Sequence, residues 1–196
     1  RLALYSYWRS SAAYRVRIGL NLKRLPYDIV PVHLVRNGGE QLAPEYAEHA
    51  PQKLVPMLVH GQRRMRQSLS ILEYLDEVWP EPPLLPSTAR GRQRVRELAQ
   101  LVACEIHPLN NLRVMRFLEH EWNVPQPERE VWLKHWMVEG LGAFEAAAVA
   151  TLSWAGVPLA AGLSATLLFR VLSFWLPMLP GFWLSRDALR AGAADH

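Results

Sequence analysis

Thiols are almost missing from this chain. Cys104 is the one cysteine in 196 residues, so neither an internal disulfide nor a multi-cysteine zinc site can form, and a secreted disulfide scaffold is excluded. A strong charge of either sign is missing too: 22 Lys and Arg against 18 Asp and Glu leave a net +4 with His neutral. The basic residues are spread along the chain apart from Arg90, Arg92, Arg94 and Arg96, too little for a nucleic-acid footprint. No basic stretch leading into an apolar core of the secretory kind follows Arg1, and the expected setting is the cytoplasm. With 50% hydrophobic and 20% charged residues the chain fits one globular domain or two small ones, which excludes collagen, coiled-coil arrays and intrinsic disorder.

What is present changes texture at Trp79-Pro-Glu-Pro-Pro-Leu-Leu-Pro86, where four prolines in seven residues exclude a helix interior. Before it, apolar runs alternate with helical patterns. Leu2–Tyr7 is predicted as a strand, Ser11–Lys23 as a helix and Tyr27–Leu34 as a strand. After a loop come strands at Met57–His60 and Arg63–Arg66 across a turn at Gly61-Gln62, then a helix at Ser68–Val78. The order is βαβ followed by ββα. Beyond the prolines the spacing is helical, through Val95, Leu98, Leu101/Val102 and Glu105/Ile106, then through Val131, His135, Val138 and Leu141/Gly142.

Charge then nearly vanishes. Between Ala146 and Leu184 the only charged side chain is Arg170, and Ala146–Phe169 is long enough to cross a bilayer. Gly156, Pro158, Gly162 and several Ser and Thr lower its apolarity, and Pro177 and Pro180 interrupt the apolar run after Arg170. A buried or irregular tail is expected ahead of a transmembrane helix.

Three local features carry chemistry. Ser10-Ser11 stand where the first strand meets the first helix, and such a helix N-terminus concentrates free N–H groups that welcome an anion. Plain helix capping is the simpler account of the spacing. Leu54-Val55-Pro56 leads into a strand, where an X-Pro bond that is cis lets its preceding residue offer backbone N–H and C=O to a peptide-like ligand. An edge-strand proline is the alternative. Gln67-Ser68 opens the next helix and can hold a carboxylate there. All three sit at strand-to-helix ends, where such sheets bind ligands.

The residues that carry these features also carry a resemblance. Tyr5-Ser-Tyr-Trp-Arg-Ser-Ser-Ala-Ala-Tyr-Arg-Val-Arg-Ile-Gly-Leu-Asn-Leu-Lys23, Leu54-Val-Pro-Met-Leu, Gln67-Ser-Leu-Ser-Ile-Leu-Glu-Tyr-Leu-Asp-Glu77, Pro82-Pro-Leu-Leu-Pro86 and Ile106-His-Pro-Leu-Asn-Asn-Leu-Arg113 resemble the zeta-class glutathione transferases. These are the maleylacetoacetate and maleylpyruvate isomerases, and the likeness runs from about residue 2 to Glu145. It implies an α/β thioredoxin-like domain (βαβαββα) over 1–80, a linker at 81–86, an all-α domain over 87–145 and an atypical apolar tail over 146–196. It implies glutathione as cofactor, with Ser10 beside the sulfur, Ser11 next to it, and Gln41, Val55 and Pro56 along the peptide. Gln67 and Ser68 take the γ-glutamyl end.

A free thiol near pKa 8.5 is only a few per cent thiolate at pH 7, so the site has to favour the anion. The implied reaction is thiolate addition to a maleyl double bond, rotation and elimination to the fumaryl product. Its dicarboxylate substrate calls for cations and donors, and Arg9, His107, Asn111 and Arg113 are the candidates. Surface ion pairing for the arginines and a helix-turn position for His107 are the plainer readings.

The implied activity is conversion of maleylacetoacetate to fumarylacetoacetate in aromatic amino acid breakdown. Maleylpyruvate isomerisation is the alternative, as is a glutathione-binding protein whose turnover is lost with its altered tail. The implied partners are a small maleyl keto acid and a second copy of the chain, without nucleic acid or membrane. Ala12 stands where many members carry Cys. At Ala146 the resemblance stops abruptly, as a shifted reading frame produces.

Other signals are set aside. Cys104-x-x-His107 has metal-like spacing but no second cluster, so a core cysteine is expected and no metal. His120-Glu121 lacks a second His, Arg90–Arg96 suits a solvated helix start or a subunit contact, and Trp132 and Trp136 suit a core or interface.

Overall fold

A computed structural model describes residues 1–154. They fall into two compact units, Arg1–Ala99 and one that begins at Gln100. The atypical tail expected over 146–196 lies outside the described residues from 155 onward; its first residues, through Trp154, continue a helix. Among the described residues no helix is long and apolar enough to cross a membrane.

The first unit is built on a sheet of four strands, β1 (Leu2–Ser6), β2 (Tyr27–Pro31), β3 (Met57–His60) and β4 (Arg63–Arg66), in the order β2-β1-β3-β4. β1 runs parallel to β2 and antiparallel to β3, and β3 and β4 form a hairpin. Helices α1 (Ser11–Leu22) and α3 (Ser68–Val78) share one apolar core with Leu2, Leu4 and Leu58 through Val16, Leu20, Ile71 and Leu75. The alternating side chains of the strands form a second core with Tyr46 and Ala50, around helix α2 (Pro44–His49). Helices thus cover both faces in the order βαβαββα.

The linear reading leaves α2 as part of a loop, whereas the thioredoxin-like order supplies it. Its signals are slight: Pro44 at the first helical position and Tyr46 as a buried anchor. β2 stops at Pro31, short of the predicted Leu34, where its register partner Ser6 ends β1. Val32 still donates its N–H to the Ser6 carbonyl at 2.9 Å.

The proline-rich segment is tied down. Lys23, buried at the end of α1, donates to the carbonyls of Trp79 (2.5 Å) and Pro82 (2.8 Å). Asp76 on α3 accepts from the Leu84 backbone N–H at 2.8 Å. Helix α4 (Ala89–Gln100) comes next, with Arg96 paired to Glu73 of α3 at 2.8 Å.

The second unit opens on a π-helical turn, Leu101–Ile106, and contains α5 (Leu112–His120) and α6 (Gln126–Trp154). Two expectations are corrected here. Of the spaced residues that predict α6, Val131 is 68% and Val138 53% exposed and His135 is exposed, whereas Leu141 is half-buried. Trp132 and Trp136, which the sequence suits to a core or interface, are half-buried, as is Met137. The Trp132 indole also donates to the Leu109 carbonyl at 2.9 Å. Cys104, expected in a core, is exposed on the π-helical turn.

Candidate functional site

The register of the sheet gathers the first-unit candidates. Tyr5 of β1 lies opposite Met57 of β3, and Met57 lies opposite Arg66 of β4. The exit of β1 toward Ser10, the entry to β3 at Val55-Pro56 and the exit of β4 into Gln67-Ser68 therefore meet at one end of the sheet.

Ser10 caps α1. Its backbone is extended (φ −76°, ψ 114°) and its Oγ accepts the Ala13 N–H at 3.2 Å. Accepting leaves the hydroxyl proton available, so capping and donation to an anion are compatible. No acidic side chain stands in the first turn of α1, and Ser11 is exposed at its first position. Arg9 is also exposed, with its guanidinium 5.6 Å above the Trp8 ring.

The Val55–Pro56 bond is cis. Among the described residues neither the N–H nor the C=O of Val55 meets a hydrogen-bond partner, which leaves both for an extended peptide. The loop before it is held by Tyr46, whose hydroxyl donates to the Leu54 carbonyl at 2.7 Å. Burial, aided by Tyr5 and opposed by Arg66, pushes the Tyr46 hydroxyl up to about 12, so it stays protonated and keeps this bond. Gln41 is buried; its Nε2 faces the Leu34 carbonyl at 3.5 Å, and its Oε1 has no partner among the described residues.

Gln67 has φ 68° and ψ 108°, a conformation unfavourable for any residue but glycine. Its amide donates to Gln52 Oε1 at 2.9 Å. Ser68 is 7% exposed, and its Oγ accepts from Arg15 Nη1 at 2.6 Å. α3 has no acidic side chain in its first turn. Arg15 and Tyr46 are not among the residues that the sequence motifs single out. Arg15 stands four residues after Ser11, one turn along the same helix, a spacing that could have flagged it. Nothing local marks Tyr46.

The remaining candidates belong to the second unit. His107 comes directly after the π-helical turn, and its Nε2 is 3.5 Å from Asn111 Nδ2. Asn111 caps α5, its Oδ1 accepting the Arg113 N–H at 3.1 Å, and the Arg113 side chain is exposed. Among the described residues no group of three or more His, Cys, Asp or Glu could hold a metal.

The donor set of the first unit fits an anionic peptide. Two helix N-termini without acidic side chains, an open backbone edge at Val55 and the Ser68 hydroxyl are complementary to carboxylates and peptide groups.

Residues 4–83 match the family described as glutathione S-transferase, N-terminal domain. A probable maleylacetoacetate isomerase of Vibrio cholerae is 46% identical over 144 residues, 74% of this chain and 67% of that protein. A holo structure of a maleylpyruvate isomerase, a bacterial zeta-class glutathione transferase, superposes with TM-score 0.71 at 42% identity, covering 76% of this chain and 68% of that one. A maleylacetoacetate isomerase of Methylobacterium extorquens AM1, solved with malonate and glutathione bound, gives TM-score 0.70 at 32% identity, covering 85% and 91%.

Proposed function

The chain belongs to the zeta class of the glutathione S-transferase family, and from that premise we propose that it is a glutathione-dependent isomerase converting maleylacetoacetate to fumarylacetoacetate. The single observation that carries this reading is the convergence of Ser10, Val55-Pro56 and Gln67-Ser68 at one end of the sheet.

Glutathione, when bound, supplies a thiolate that adds to the cis double bond and leaves again after rotation. The residues around it have defined tasks. Ser10 directs its hydroxyl proton toward the sulfur while its lone pair caps α1, and the helix N-terminus adds partial positive charge beside the same point. Val55 pairs with the peptide backbone. Gln67 and Ser68 receive the γ-glutamyl carboxylate at the start of α3. Gln41 is assigned to the cofactor on the resemblance alone, since its side chain is buried and turned toward Leu34.

The resemblance assigns Arg9 of the first unit and His107, Asn111 and Arg113 of the second to the substrate, whose enolate and two carboxylates need cations and donors. A homodimer and a cytoplasmic setting belong to the same proposal, on the resemblance. Maleylpyruvate is the second substrate reading, favoured by the 42% identity to the maleylpyruvate isomerase structure.

The test is conversion of maleylacetone and of maleylpyruvate by the full chain, with and without glutathione. Turnover that requires glutathione and favours maleylacetone is expected. Preference for maleylpyruvate selects the second reading, and binding of glutathione with no turnover of either substrate overturns both.

A further inference from the structure

The structure assigns to Arg15 a positioning role: it holds the Ser68 hydroxyl so that its proton is delivered to the γ-glutamyl α-carboxylate of glutathione. This inference rests on the proposed binding of glutathione. Arg15 and Ser68 are 53 positions apart, yet Nη1 and Oγ stand at 2.6 Å. A guanidinium can only donate, so the direction of this bond is settled: Ser68 accepts through a lone pair, and its own proton is not engaged by Arg15.

That proton meets no acceptor among the described residues, although Ser68 is only 7% exposed. A buried O–H without an acceptor is costly, and the cost disappears when a ligand oxygen takes the proton. The surroundings select an anionic oxygen. The first backbone N–H groups of α3 point out of the same helix end, and its first turn holds no acidic side chain. The charge-assisted bond from Arg15 sets the Ser68 rotor and polarises its O–H, making the serine a stronger donor than it is alone. Arg15 thus acts through Ser68, from the helix whose N-terminus carries Ser10.

The experiment is calorimetric titration of the full chain with two ligands, glutathione and 4-aminobutyryl-cysteinyl-glycine, which lacks only the α-carboxylate. In Arg15→Met the Kd for glutathione is expected to rise about tenfold, as loss of one charge-assisted bond implies, with no change for the truncated ligand. The KM for glutathione rises in parallel while kcat at saturation holds. In a Ser68→Ala background the same substitution adds nothing. Should Arg15→Met not fold, Arg15→Lys carries the same comparison with a smaller selective change, about threefold.

Equal weakening of both ligands, weakening of neither, or a further loss in the Ser68→Ala background overturns the inference and leaves the glutathione reading intact. Wild-type chain that takes up no glutathione overturns that reading itself, and the inference falls with it.

Discussion

Lys23 Nζ lies 2.8 Å from Asp76 Oδ1, and the lysine side chain is completely shut off from solvent. The pair joins the end of α1 to α3, and through the carbonyls of Trp79 and Pro82 it also fastens the proline-rich segment. Removing one partner of a buried pair leaves an uncompensated charge and costs about 3–5 kcal/mol. Asp76 keeps 16% exposure, so Asp76→Asn is expected to cost about 3 kcal/mol, the lower end of that range, read by urea unfolding. Wild-type stability in the variant would remove the pair from its structural role.

The same carboxylate shapes the acid limb of stability. Burial works to raise Asp76, but the hydrogen bond from Lys23, the Leu84 N–H, the Lys23 charge and the Leu85 N–H outweigh it and hold the group below its usual range. A carboxylate depressed in the folded state stabilises fully above the unfolded value, about 3.9, and that contribution is lost as pH falls through the folded value. Stability should therefore drop at acid pH, and the drop should shrink in Asp76→Asn. Identical slopes for both chains below about pH 4 would refute this.

Ser10→Ala removes both a cap and a donor. The lost cap costs about 1 kcal/mol. On the proposed function, loss of the donor at the sulfur lowers kcat by about a hundredfold, with glutathione binding expected to persist. Steady-state kinetics beside a thermal melt separate the two effects. Activity at the wild-type level in a folded Ser10→Ala chain removes Ser10 from the chemistry.

Gln67→Gly should move stability and function in opposite directions. Glycine relaxes the positive φ at this position and gains about 1 kcal/mol. The amide contact is lost, so the KM for glutathione rises severalfold. A destabilised variant would show that the conformation carries no strain.

In the second unit, a Cβ added at Gly140 would collide with Ile106 Cγ1 and stand 3.2 Å from its Cβ. Ile106 closes the π-helical turn that leads into His107. Gly140→Ala should cost about 1–3 kcal/mol by overpacking and should raise the KM for the maleyl substrate through displacement of His107. An unchanged KM would separate α6 packing from the proposed substrate role of His107.

What the sequence determined by itself was local. Ser10 as a cap, the helix start at Ser68, the hairpin turn at Gly61-Gln62 and the break at the prolines depend on neighbouring residues, because caps, turns and proline sterics act within one turn of the chain. The motifs around Ser10, Val55-Pro56, Gln67-Ser68 and His107 also placed the chain in its family without a structure. Tertiary structure decided the rest. Strand register brought residues 10, 55 and 67 to one end of the sheet, and Arg15 reached Ser68 across 53 positions. Packing left Val131 and Val138 of α6 exposed and Cys104 on the surface. Each of these outcomes is set by contacts between segments distant in the chain, whose free energy does not follow from the spacing of apolar residues within one segment.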